Sequence, residues 1–146
     1  MFKHILIPTD GSALALKAAK AGIRLAAQHG ARVTVFHAVD AWQPVYTSAY
    51  AADARTFVDF EKHAREVGEA QVAAVAKLAR AARVPFAVVV SKARTPYEGI
   101  VETARKKNCD LIFIASHGRR GLARLVLGSV TLKVLARAAV PVLVYR

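Results

Sequence analysis

Residues 110–116, DLIFIAS, carry five apolar side chains in succession, Leu111 to Ala115. A strand that faces water on one side alternates polar and apolar residues. A strand without alternation is covered on both faces, as in a parallel sheet between layers of helices. This run therefore restricts the chain to few architectures, and the neighbouring segments supply the rest of one of them.

Ile5, Leu6 and Ile7, stopped by Pro8, read as another buried strand. SALALKAAKAGIRLAAQHG follows as a helix, with Ser12 suited to cap its start and Gly30 to end it at positive φ. ARVTVFHAV is β-branched and alternating, a second strand. Residues 40–55 have no period and read as a long loop. From Thr56 to Arg83 the apolar positions Phe57, Phe60, Ala64, Val67, Ala74 and Leu78 recur at helical spacing. PFAVVVS is a third strand, and PYEGIVETARKKN a helix with Pro96 at its start and Asn108 near its end. After DLIFIAS come LVLGSVTLKVLARA, helical over all or most of its length, and a last strand, VPVLVYR. Strand and helix alternate throughout, which implies right-handed crossovers and a parallel sheet. Residues 1–146 read as one α/β domain of Rossmann-like type, with helices on both faces and no linker or repeat. Ligands in such open sheets sit beyond the carboxyl ends of the strands, where strand order reverses. PTDGS, HAVD and ASHGRRG fall there.

Several function classes drop out on composition. No apolar run reaches the roughly 18 residues needed to cross a bilayer, and the first residues carry no signal cleavage pattern, so a cytoplasmic location is expected. Cys109 is the one cysteine, which excludes an internal disulfide and a cysteine metal site. His4, His29, His37, His63 and His117 have no ligand spacing, so no metal residues are expected. GxSxG is absent, and no catalytic residues are assigned.

The formal net charge is +12, which attracts anionic partners without choosing among them. After Asp110 there is no acidic residue, while Arg119, Arg120, Arg124, Lys133, Arg137 and Arg146 follow. Within that tail lies ASHGRRGLARLVLGSVT, residues 115–131, with glycines at 118, 121 and 128. It is neither a Walker-A loop nor a dinucleotide fingerprint. The same physics is nonetheless available. Gly118 and Gly121 let backbone N–H groups approach a phosphate. A helix starting near Gly128 and Ser129 would add donors and partial positive charge. The alternative is that these glycines shape a turn and permit close packing.

This loop resembles the signature of the universal stress protein family. In its nucleotide-binding branch the pattern is Gly, two residues, Gly, nine residues, then Gly-Ser or Gly-Thr. Gly118 and Gly128-Ser129 match, and Ala115 replaces the first glycine. ILIPTDGS, DLIFIASHG and PVLVYR resemble the family as well, so the resemblance spans the chain. It implies strand order 3-2-1-4-5 and ATP in the switch-point crevice, with Mg²⁺ arriving on its phosphates. It implies that Asp10, in a turn with Pro8 and Thr9, lies beside adenine and ribose. Ala38 would meet the adenine through its backbone. Ile114 and Ala115 would line base and sugar. Gly118, Gly128, Ser129 and Val130 would hold ribose and phosphates, with Thr131 nearby. His117 and the three loop arginines stay open between phosphate contact and solvated surface. If residue 115 needs positive φ, alanine there costs about 1 kcal/mol or more. If it needs only room, one methyl fits.

Under the implied order the last strand stands at a sheet edge, which invites a second strand. The resemblance implies a homodimer through that strand. Trp42, Tyr46 and Tyr50, in the long loop with Pro44, read as a contact surface. The expected function is an ATP-binding stress-response regulator or sensor that acts on an unidentified protein partner. The alternatives are a non-nucleotide interaction module, for which Ala115 speaks, and a slow ATPase. Nothing in the pattern supports nucleic-acid binding.

Overall fold

Strands β1 (His4–Pro8), β2 (Arg32–Asp40), β3 (Phe86–Ala93), β4 (Leu111–Ala115) and β5 (Val142–Tyr145) form one sheet. Every pairing is parallel, and the order is β3-β2-β1-β4-β5. The structure is a computed structural model that describes residues 1–40, 54–118 and 127–146. Among the described residues four helices lie between the strands: α1 (Ala13–His29), α2 (Ala54–Ala81), α3 (Pro96–Lys106) and α4 (Ser129–Arg137).

Side-chain alternation in β1 divides the core between the two faces of the sheet. Ile5 and Ile7 join Val33, Val35 and Phe113 under α1 and α2. Leu6 joins Phe36, Ile112 and Ile114 under α3 and α4. All residues of β1 and β4 are buried, as the unbroken apolar runs require. Each fully buried Ile, Leu or Phe contributes about 1.5–3 kcal/mol through loss of apolar surface to water. The outer strands differ, with Val88 on β3 48% exposed and Leu143 on β5 37% exposed.

Local chemistry sets the helix ends. Ser12 Oγ accepts the Ala15 N–H at 3.1 Å, and Gly30 ends α1 at φ +62. The buried face of α1 is mostly alanine, and Gly22 lets the helix settle on the sheet. A Cβ there would lie 2.9 Å from Ile7 Cδ1 and 3.2 Å from Phe113 Cγ. Pro96 opens α3, while Asn108 adopts φ +53 beyond its end.

Two expected boundaries are corrected. The helix expected from residue 125 begins at Ser129, because Gly128 is extended (φ −62, ψ 150) and its N–H donates to Ser116 O at 2.7 Å. Of the long loop expected over 40–55, Asp40 belongs to β2, and Ala54 and Arg55 belong to α2. Trp42, Pro44, Tyr46 and Tyr50 lie outside the described residues, as do Arg119, Arg120, Gly121 and Arg124.

Candidate functional site

The helices that follow β1 and β4 lie on opposite faces of the sheet, since α1 packs on one core cluster and Val134 of α4 on the other. The gap between them is the switch-point crevice of an open α/β sheet.

On one wall is the turn Pro8-Thr9-Asp10-Gly11-Ser12. Thr9 N–H donates to Phe36 O at 2.8 Å, which continues the β1–β2 ladder for one step. Thr9 Oγ1 accepts the Gly11 N–H at 3.2 Å, and Asp10 Oδ1 accepts the Ser12 N–H at 3.0 Å. These local side-chain acceptors fix the turn. Gly11 sits at φ +76, with the side chain of Gln71 packed where a Cβ would project. The local and ligand-facing roles of Asp10 are compatible, since Oδ1 serves the turn while Oδ2 lies against Gly118.

The facing wall is built from β4 and the start of α4. Ala115 is in strand conformation and 6% exposed, packed in the core on the α1–α2 side. Its methyl therefore carries no positive-φ strain and occupies core space. Ser116 N–H donates to Tyr145 O at 2.7 Å, and Ser116 Oγ pairs with His117 Nδ1 at 3.1 Å. Gly128 closes over this segment, where a Cβ would stand 3.2 Å from His117 Cα and 3.4 Å from Ser116 O. Gly128 is also the N-cap of α4, and it supplies no side-chain acceptor to the first turn. The exposed Ser129 and half-buried Val130 begin a helix whose leading N–H groups carry partial positive charge. Thr131 behaves differently from its neighbours. It is buried, and its hydroxyl donates to Ala115 O at 2.9 Å, tying α4 to β4.

Asp10, Gly118 and the start of α4 thus meet at one crevice. Ile114 and Ala38 approach it from the ends of β4 and β2, on the α3–α4 side of the sheet. Two described basic residues of the tail stand apart from the crevice. Lys133 lies over the Tyr97 ring at 5.3 Å, and Arg137 is in the last turn of α4, away from Ser129.

The family model described as the universal stress protein family matches residues 1–146. The chain belongs to that family. A universal stress protein of Methanocaldococcus jannaschii is 34% identical over 146 residues, covering 100% of this chain and 83% of the relative. The solved universal stress protein UspA of Lactobacillus plantarum is 25% identical, covers 99% of this chain and 98% of that one, and superposes with a TM-score of 0.76. A universal stress protein of Archaeoglobus fulgidus, solved in complex with dAMP, shares the fold with a TM-score of 0.67, 16% identity and coverage of 100% and 98%. The strand order expected from the resemblance is the one the sheet adopts.

Leu16, Gln71 and His37, to which sequence reasoning gave no part in the site, lie near the crevice of this universal stress protein. A cavity of about 310 Å³ lies between α1 and α2 behind the Asp10 turn, lined by Thr9, Gly11, Leu16, Val67 and Gln71 among others. Its wall is largely hydrocarbon, so it adds shape beside the turn and few polar donors. His37 holds the turn from β2, its Nδ1 lying 2.9 Å from Thr9 O. One signal was legible: an isolated glycine inside a helical pattern, Gly68, marks close packing, and His37 is what it packs against.

Among the described residues no group of three or more His, Cys, Asp or Glu is placed to hold a metal. Among the same residues no helix is long and apolar enough to cross a membrane.

Proposed function

We propose that this chain, as one nucleotide-binding domain over residues 1–146, binds adenine nucleotides, ATP in the first place. It acts as a nucleotide-dependent regulator or sensor in the stress response. The observation that carries the reading is the meeting of the Asp10 carboxylate, the side-chain-free surface of Gly118 and the α4 N-terminus across the β1–β4 crevice. The donor set suits such a ligand. A carboxylate accepts from ribose hydroxyls, and helix-start N–H groups donate to phosphate oxygens. Ala38 and Ile114 provide hydrocarbon and main chain at the base end, with Ala115 behind them and Pro8 and Thr9 framing the turn. Gly118, Gly128, Ser129 and Val130 hold sugar and phosphates. Thr131 acts by fixing the helix. Mg²⁺, when bound, travels with the phosphates and screens their charge. The dAMP complex of the Archaeoglobus fulgidus protein supports the reading at the level of the fold.

The non-nucleotide reading loses its main support, because Ala115 directs its methyl into the core without backbone strain. Hydrolysis is slow in this reading: no carboxylate stands in the signature loop, and Asp10 serves the sugar. The functional unit is a cytoplasmic homodimer. Supporting this, β5 stands at the sheet edge and presents Leu143 to solvent. Nucleotide occupancy then biases which protein partner the dimer engages.

The test begins with purified protein. Denaturation releases any bound nucleotide for identification, and ATP is then titrated into the ligand-free chain with and without Mg²⁺. Gly128→Val serves as the comparison, since its side chain presses on the backbone of Ser116 and His117. ATP binding that is lost in this variant supports the reading. A folded chain that neither carries nor binds ATP overturns it.

A further inference from the structure

We propose that His37 is a positioning residue for the nucleotide site: its imidazole, seated on Gly68 of α2, holds the Asp10 turn through the Thr9 carbonyl. The inference rests on the nucleotide reading above and adds how the site is kept in register.

Nδ1 of His37 lies 2.9 Å from Thr9 O. A carbonyl only accepts, so Nδ1 carries the proton and donates. Thr9 is then tied to β2 twice, by its N–H to Phe36 O at 2.8 Å and by its carbonyl to the next residue's ring. Asp10 is the residue that follows. The second anchor matters because the ladder between β1 and β2 ends here. The last paired residues are Pro8 and Phe36, and beyond them the main chain of the turn leaves the sheet.

Shape also confines the ring. A Cβ at Gly68 would lie 2.6 Å from His37 Cδ2 and 3.2 Å from Nε2, so the imidazole rests directly on the α2 backbone. The same Cβ would meet Val90 Cγ1 at 3.2 Å, which leaves a displaced ring little room. One side chain therefore connects β2, α2 and the β1–α1 turn. His37 thus stands behind the turn that presents the Asp10 carboxylate to Gly118.

Substitutions at 37 and 68 test this without touching a residue assigned to the ligand. Asn places an amide N–H where Nδ1 stands, whereas Gln places it near Nε2. His37→Asn, His37→Gln, His37→Ala and Gly68→Ala would be compared with the unaltered chain in three measurements. These are amide hydrogen exchange at Ser12 without ligand, ATP affinity by calorimetry, and thermal unfolding. In His37→Gln, His37→Ala and Gly68→Ala, the Ser12 amide is expected to exchange faster. ATP binding is expected to weaken about five- to tenfold, the size of one hydrogen bond. His37→Asn is expected to keep both properties even where its melting temperature falls. Unchanged Ser12 exchange and affinity in His37→Ala and His37→Gln overturn the proposal. So does a His37→Asn variant as impaired as His37→Ala, which would make the residue a packing element only. If the unaltered chain binds no ATP, the nucleotide reading fails and takes the ligand role of His37 with it. The Ser12 exchange still decides whether His37 holds the turn.

Discussion

The carboxylate of Asp10 lies against the Cα of Gly118, with Oδ2 in the place where a side chain at residue 118 would begin. Two loops from adjacent strands touch at this point, and a side chain longer than hydrogen at residue 118 fits only if the Asp10 carboxylate swings away. Gly118→Ala should therefore displace the Asp10 carboxylate. Calorimetry is expected to show ATP affinity reduced by at least about tenfold, or 1.4 kcal/mol. Stability should change by less than about 0.5 kcal/mol, because the contact is outside the core. In a double-mutant cycle with Asp10→Ala the two losses should not add, since removal of the carboxylate frees the space. Full additivity would mean that the contact does not control the site.

Thr131 makes a different kind of claim, on stability before affinity. Its buried hydroxyl donates to Ala115 O at 2.9 Å. Thr131→Val keeps the shape and strands the Ala115 carbonyl, at a cost of about 1–2 kcal/mol in urea denaturation. The start of α4 loses its tie to β4, so ATP affinity should fall in the same variant. A fully stable Thr131→Val protein would show that water or a shifted helix satisfies that carbonyl.

The opposite end of the sheet sets a pH window. His4 is 6% exposed and its Nε2 pairs with Thr34 Oγ1 at 2.8 Å. Burial, with Arg32 nearby, lowers its pKa from the usual 6.5. The unfolded chain takes up that proton as pH falls below about 6.5 while the folded chain resists, so stability declines toward acid. Burial alone would raise the Asp110 carboxyl, but N–H donors from His4 and Lys3 outweigh it and hold the group below its usual range. Its contribution is also lost as pH falls, at lower values. Cys109 runs the other way: burial and the Asp110 carboxylate push its thiol up to about 11 from 9.0. The unfolded thiol ionises first, so stability also declines above about pH 9. Urea denaturation should show a plateau between these limits, and Cys109→Ala should soften the alkaline fall. An unchanged alkaline fall in that variant would place its cause elsewhere.

Cys109 also supplies a probe of opening. It is 4% exposed, and its raised pKa keeps it a thiol at neutral pH. Folded protein should therefore react with a thiol reagent only as fast as it opens, and in urea the reaction should accelerate in step with unfolding. Immediate labelling in buffer would contradict the packing around β4.

At the β5 edge, Leu143→Lys should separate the proposed dimer. A charge on an exposed edge opposes strand addition, and a position already 37% exposed tolerates it. Sedimentation should report monomer, with stability of the subunit within about 0.5 kcal/mol of the original. A variant that remains dimeric would move the interface off this edge.

Much of this protein was legible in one dimension. Unbroken apolar runs fixed β1 and β4 as covered strands. Ser12, Gly30 and Pro96 marked helix ends through local hydrogen bonding and φ preference, which depend on near neighbours in the chain. The spacing of Gly118, Gly128 and Ser129 pointed to the crevice through the family resemblance, since taken alone these glycines also fit a turn. The apolar pattern through Val126 and Leu127 suggested an earlier start for α4 than the glycine at 128 did, and a bond from Gly128 to Ser116, twelve positions away, keeps Gly128 extended and starts the helix at Ser129.

What only the tertiary structure decided are relationships between residues far apart in sequence. Whether Ala115 was strained depended on its place in β4 and on the cluster beneath α1. That Thr131 serves the fold depended on the carbonyl that the end of β4 sets beside it. That His37, one of five histidines, holds the Asp10 turn depended on a glycine thirty-one residues later. Periodicity and capping are short-range physics and are written in the chain. Close approach and burial are set by the folded backbone, and there the meaning of single residues in this crevice was decided.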